Sequence, residues 1–179
     1  MNLLIRVVFS VVVLGLTSAF GAVDLSVINT NDISAFHEVV QDEIYRGAQP
    51  TDAGISQLKK AGFKTVLNLR NDSVQSIAES KAVKNLGLTY QHVPMSSFFA
   101  PSDADMNSIQ VMLNRTDLQP LFVHCKHGED RTGLVVGLYR VFSQGYSPEA
   151  AYSEMLNLGF HSFLFGLKEY FEEKTGYDP

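Results

Sequence analysis

A chain of 179 residues has room for one well-buried core and too little for two domains of ordinary size. Hydrophobic residues make up 45% and charged residues 18%, a globular composition that excludes a disordered or low-complexity chain. The formal net charge of −5 argues against general binding to nucleic acid or to an anionic membrane, so no nucleic-acid partner is expected.

The first segment, "MNLLIRVVFSVVVLGLTSAFG", has one basic residue, Arg6, then an apolar run from Val7 to Leu16, then small residues. This pattern predicts a secretory signal peptide over residues 1–21, with Ala19 and Gly21 three and one residues before a cut ahead of Ala22. The run is short against the roughly 20 residues that a membrane span needs. The expectation is therefore an exported chain, periplasmic or secreted, with no stable membrane insertion after cleavage. Residues 22–179 are expected to form a single domain with its core over about residues 44–173.

After a polar lead-in (Asn29 to Ser34), "EIYRGAQP" predicts a short strand closed by Pro50. Thr51 suits the N-cap of a helix through "DAGISQLKKAG", and Gly62 suits its C-terminal end. "KTVLNLR" predicts a second strand, "IAESKAVKNLG" a helix stopped by Gly87, and "TYQHVPM" a third strand. "SSFFAPSDAD" is a loop in which Ser102 can cap the helix "ADMNSIQVMLNR". "LFVHC" is a short apolar run that suits a central buried strand. The apolar helix "TGLVVGLYRVFSQG" follows, then a helix opened by Ser147 and Pro148, then a last one over "HSFLFGLKEYFEEKTG". Strands alternate with helices up to Cys125 and helices dominate after it. That order predicts an α/β fold with a mostly parallel central sheet of about four to five strands flanked by helices.

Cys125 is the only cysteine, which excludes an internal disulfide. A lone cysteine is most often buried and inert, but its surroundings here point elsewhere. It stands at the carboxyl end of a predicted strand, where open α/β sheets bind their ligands. The loop that follows, "KHGED", contains Gly128 and runs into a helix N-terminus. Successive backbone N–H groups in such a loop can converge on an anion, and the helix dipole adds positive potential. Arg131 can offer a bidentate fork to phosphate oxygens. The same field favours the thiolate of Cys125, which would lie in line with a bound phosphorus as a nucleophile.

"HCKHGEDRTG" resembles the His-Cys-x5-Arg-Ser/Thr-Gly signature of the cysteine-dependent phosphatases, the protein-tyrosine and dual-specificity superfamily. His124, Cys125, Gly128, Arg131, Thr132 and Gly133 match it. "YRGAQPT" and "VLNLR" are similar to segments of the small dual-specificity-like members, so the resemblance covers most of Ile44 to Phe171. It implies a two-step reaction. The Cys125 thiolate attacks phosphorus, Arg131 and the loop amides hold the equatorial oxygens, an acid protonates the leaving oxygen, and water hydrolyses the phosphocysteine. Thr132 would stabilise the thiolate as leaving group, and His124 would orient the loop and tune the thiol. Lys126, His127, Gly128, Glu129 and Gly133 would surround the substrate. The resemblance calls for no cofactor and no metal.

The acid is the departure. The family usually carries an Asp about thirty residues before the Cys, whereas that window here reads "PMSSFFAP", with Ser96 and Ser97. Asp130 is the first candidate, because "C-x-x-G-x-D-R-T" resembles the loop of the myotubularin lipid phosphatases. Asp103 is the second, against a simpler role for Asp103 and Asp105 as helix N-terminal charge with Ser102 as cap. Lys126 and His127 beside Arg131 suggest a polyanionic, phosphorylated small-molecule partner. Resemblance to phytase-like phosphatases, together with the expected export, favours inositol polyphosphates. A dual-specificity protein phosphatase is the alternative of the same class, and a non-catalytic phosphate-binding module the alternative of another. Arg46 and Arg70, at predicted strand ends, are candidates for added phosphate contacts. "FHSFLF" around His161 reads as core packing.

Overall fold

The structure, a computed structural model, describes residues 21–178. The predicted signal peptide lies outside these residues except for Gly21. The elements are β1 (His37–Val40), β2 (Ile44–Gly47), α1 (Asp52–Ala61), β3 (Thr65–Arg70), α2 (Ser73–Asn85), β4 (Thr89–Met95), α3 (Asp103–Leu113), β5 (Leu121–His124), α4 (Asp130–Phe142), α5 (Pro148–Asn157) and α6 (Phe165–Thr175). Single-turn 3-10 helices lie at Leu25–Val27 and Thr116–Leu118.

One five-stranded sheet has the order β1-β2-β5-β3-β4. β5 is central and runs parallel to both β2 and β3, and β3 runs parallel to β4. β1 pairs antiparallel with β2 at the edge, so the sheet is mixed but mostly parallel. The sequence does not announce β1: "HEVV" is only four residues long, and two of them are exposed.

Side chains alternate across the strands and sort into two cores. Leu121 and Val123 face a core shared with α3, α4, α5 and α6, through Ile109, Leu134, Met155 and Phe171. Phe122 faces the other way, with Tyr45 and Val66, into a smaller core under α1 and α2 built on Ile55, Leu58 and Val83. Helix α4 is buried at every position from Arg131 to Arg140 because helices pack around it beyond the sheet. Its near-continuous apolar sequence reflects that position.

The expected caps form. Thr51 accepts from Gly54 N–H, and Gly62 ends α1 at a φ of 98°. Ser147 caps α5 by accepting from Ala150 N–H. The last helix begins at Phe165, later than "HSFLF" suggests, and residues 161–164 form the turn before it. That shorter helix changes the active site. Among the described residues no helix is long and apolar enough to cross a membrane.

Candidate active site

β5 delivers Cys125 to the carboxyl edge of the sheet, and α4 starts five residues later at Asp130. The turn between them is seated on the end of β2. Gly128 has a φ of +81°, and a Cβ there would lie 2.5 Å from Gly47 C and 2.7 Å from Ala48 N. Only glycine combines that backbone angle with so close an approach. Gln49 N–H donates to the Lys126 carbonyl at 3.2 Å, a second tie to the chain leaving β2.

Arg46, on β2, lies beneath the turn and is 1% exposed. Its Nη2 donates to the Gly128 carbonyl at 2.6 Å and, more weakly, to the Glu129 carbonyl at 3.4 Å. The expected substrate contact of Arg46 is thus corrected: the side chain holds loop carbonyls from below and is shut off from the cavity. Burial pulls its pKa down to about 10, with the nearby Cys125 and Glu154 charges opposing the fall. It therefore remains a cation at neutral pH.

With those carbonyls turned down, the loop can turn amides up. Gly128 N–H donates to Cys125 Sγ at 3.3 Å, and Cys125 itself is 2% exposed. An N–H aimed at sulfur stabilises negative charge there. Arg131 is 7% exposed and fixed by one corner, its Nη1 donating to Met95 O at 3.3 Å and Asn71 Oδ1 at 3.4 Å. Thr132 is fully buried, and among the described residues its Oγ1 has no hydrogen-bond partner.

His124 is anchored from both sides. Its Nδ1 lies 3.1 Å from the Cys125 carbonyl and its Nε2 lies 3.0 Å from Glu79 Oε1. The second contact is a close approach whose alignment falls short of a hydrogen bond. Glu79, on α2, is 2% exposed and also accepts from Gln49 Nε2 at 2.7 Å and Asn68 Nδ2 at 2.5 Å. Burial would raise its pKa, but His124 and these amide donors outweigh that and hold it below the ordinary value. Tyr90, beside Glu79, is pushed up to about 12 by burial and by the carboxylate.

Cys125 and Arg131 open into a cavity of about 290 Å³, also lined by Ser97, Phe98, Lys126, His127, Asp130, His161, Phe163 and Leu164. Lys126 and His127 are exposed on its rim. Asp130 Oδ1 accepts two bonds from one residue, His161 N–H at 2.9 Å and His161 Nδ1 at 3.0 Å. Glu129, Asp130 and His161 bring one ligand atom each within 4.8 Å of one another, a set able to hold a cation. Two of its best atoms, Asp130 Oδ1 and His161 Nδ1, are already spent on each other.

Asp103 is elsewhere, which corrects its candidacy as the acid. It sits in a separate groove with Tyr170 and Lys174, where Tyr170 OH donates to Oδ1 at 2.9 Å and Lys174 Nζ lies 2.8 Å from the same oxygen. Lys174, then Tyr170, hold its carboxyl below the usual range, the opposite of what a proton donor needs. Asp105 completes the helix cap with Ser102. Glu129 is corrected as well: its side chain lies against Gly159, while its carbonyl accepts the helical bond of Gly133 N–H at 2.8 Å. That bond also removes Gly133 N–H from the anion cradle. Arg70 bonds Gln49 and Asp72.

Sequence reasoning missed His161 and Glu79. "FHSFLF" does pack through Phe160 and Leu164, but His161 between them faces the cavity with its side chain 46% exposed. For Glu79 a signal existed: Ser76, Glu79 and Val83 recur on one buried helical face.

Among curated proteins, the dual specificity protein phosphatase TpbA of Pseudomonas aeruginosa is 31% identical over 118 residues, covering 65% of this chain and 51% of the relative. Inositol diphosphatase DSP5 of Arabidopsis thaliana is 29% identical over 114 residues, covering 57% and 52%. The chain spans about half the length of these relatives. Among solved structures, the core catalytic domain of the PP-IP phosphatase SIW14 from S. cerevisiae, in complex with citrate, superposes with a TM-score of 0.69 at 23% identity, covering 78% of this chain and 84% of that one. A P. aeruginosa TpbA variant in complex with pTyr gives 0.66 at 22%, covering 87% and 91%. At those identities the likeness is one of fold. The family model "DSP-PTPase phosphatase fused to NAD+ Kinase" matches residues 16–168, and the chain belongs to that family, within the cysteine-dependent phosphatase superfamily.

Proposed function

We propose that the chain hydrolyses phosphomonoesters through a phosphocysteine on Cys125, with inositol polyphosphates as its substrates. The observation that carries the reaction is the Gly128 N–H on Cys125 Sγ with Arg131 in the same cavity. The thiolate attacks phosphorus from beneath. The Arg131 fork and the loop amides bind the equatorial oxygens, where most of the transition-state stabilisation lies. The unpartnered Thr132 Oγ1 is the hydroxyl suited to stabilise the thiolate as it leaves in the second step. Proton delivery to the leaving oxygen falls to the corner of the cavity where Asp130 meets His161.

The substrate class rests on the rim. Lys126 and His127 add exposed cationic capacity beyond what one phosphate needs, and relatives of this chain include an inositol diphosphatase. A second reading, a dual-specificity protein phosphatase, has its own observation. Phe98 and Phe163 line the cavity at 67% and 66% exposure, and such faces suit the ring of a phosphotyrosine. Phosphate release measured side by side on inositol hexakisphosphate and a tyrosine phosphopeptide decides between them. A higher kcat/KM on the inositol substrate is expected, and equal or better turnover of the peptide gives the second reading.

A further inference from the structure

The loop where this family usually keeps its acid has none. Ser96 Oγ instead accepts from Phe98 N–H and Phe99 N–H, both at 3.1 Å, so that side chain is spent on holding the turn. The proton for the leaving oxygen must come from another group at the cavity. Among the described residues the titratable groups there are Cys125, Lys126, His127, Asp130, Arg131 and His161. Cys125 is the nucleophile, and Arg131 does not give up its proton. Among the described residues no hydrogen bond or ion pair fixes the Lys126 and His127 side chains, whereas His161 is tied to Asp130. Asp130 and His161 remain, and their geometry assigns them different roles.

Asp130 Oδ1 accepts from both the backbone N–H and the Nδ1 of His161. An oxygen receiving two N–H bonds is acting as an acceptor. The imidazole donating through Nδ1 keeps Nε2 as the atom with a proton to give or take. The Phe163 ring lies beside the imidazole at 5.2 Å between centroids. This is the arrangement in which a carboxylate orients a histidine for acid–base work.

We propose that His161 is the general acid of the first step and the general base of the second, with Asp130 as the carboxylate that positions it. This rests on the thiolate reading above. In the first step the S–P bond forms, the P–O bond to the leaving group breaks, and the Nε2 proton of the imidazolium passes to the leaving oxygen. In the second, the neutral Nε2 takes a proton from water as the water oxygen bonds to phosphorus. The S–P bond then breaks, Cys125 returns as thiolate, and orthophosphate departs. Asp130 keeps its charge throughout.

The test uses the His161→Phe variant. It retains the backbone N–H bond to Asp130 and a ring beside Phe163, so the loop stays tied. An alkyl phosphomonoester needs its leaving oxygen protonated, whereas p-nitrophenyl phosphate does not. In pre-steady-state release of the leaving group, which reads the first step alone, the alkyl ester is expected to slow by about 10²–10⁴-fold and the nitrophenyl ester by less than about threefold, with the alkaline limb of the alkyl-ester profile lost. Steady turnover of both is expected to fall through the second step that they share. His161→Ala is expected to recover part of its alkyl-ester rate when imidazole is added. Native alkyl-ester turnover in His161→Phe, or an equal slowing of first-step release from both esters without imidazole rescue in His161→Ala, overturns the assignment. Cys125→Ser run in parallel separates the two claims. Turnover that survives in that variant sinks the thiolate reading, whereas an inactive Cys125→Ser beside an unimpaired His161→Phe sinks only the role of His161.

Discussion

Arg46 shows how one buried side chain can shape a site that it does not enter. A cation at 1% exposure is costly to bury, and among the described residues two of its nitrogens, Nε and Nη1, have no acceptor. What it supplies is a bond to the Gly128 carbonyl, which fixes the Gly128–Glu129 peptide from below and so holds the turn in which Gly128 N–H meets Cys125 Sγ. Arg46→Met is therefore expected to lower kcat on p-nitrophenyl phosphate by about 10²-fold, the effect of a displaced catalytic loop. Removing a poorly compensated buried charge offsets part of the lost bonding, so the thermal midpoint is expected to move by only a few degrees. Turnover measured with a melting curve checks both, and native kcat in the variant would refute the role. Cys125, Gly128, Arg131 and Thr132 are legible in the sequence because one short turn holds them all. Arg46 is legible as a charged residue near the site but not as a buried one, since its depth depends on the loop that covers it. His161 is not legible, because an apolar run with one break reads as core until the turn is seen.

At the scale of elements, α2 is tied to β5 through Glu79 and His124, and β5 carries Cys125. Glu79 is held below its ordinary value of 4.5 because His124 and the amides of Gln49 and Asn68 outweigh its burial. A depressed carboxylate stabilises the fold fully above its unfolded value. That contribution is lost as pH falls from about 4.5 through the lower, folded value. Glu79→Gln is expected to cost about 1–3 kcal/mol near neutral pH, with the difference from the native protein shrinking below about pH 4.5. Urea midpoints measured across that range check it, and a gap independent of pH would contradict it. The strands β2 to β5 and the six helices follow from hydrophobic period, caps and glycines that act locally. The edge strand β1 does not, since it pairs on one side only and two of its four residues are exposed, which leaves it no apolar run to read. The start of α6 is likewise set by the packing of Phe160 and Leu164, not by local propensity.

The whole molecule places its reaction cavity beyond the carboxyl ends of β5 and β4, lined by the start of α4 and the turn before α6. That position follows from parallel topology, and the alternation of strands and helices already implied it. The substrate is another matter, because cations and phenylalanines share the rim and no local pattern in the sequence ranks them. The central claim is the phosphocysteine. Acid quenching during turnover of p-nitrophenyl phosphate, followed by peptide mass spectrometry, tests it most directly. Phosphate attached to the peptide containing Cys125, with no turnover in Cys125→Ser, is the predicted result. Steady turnover with no phosphorylated Cys125, or with the serine variant still active, would contradict it.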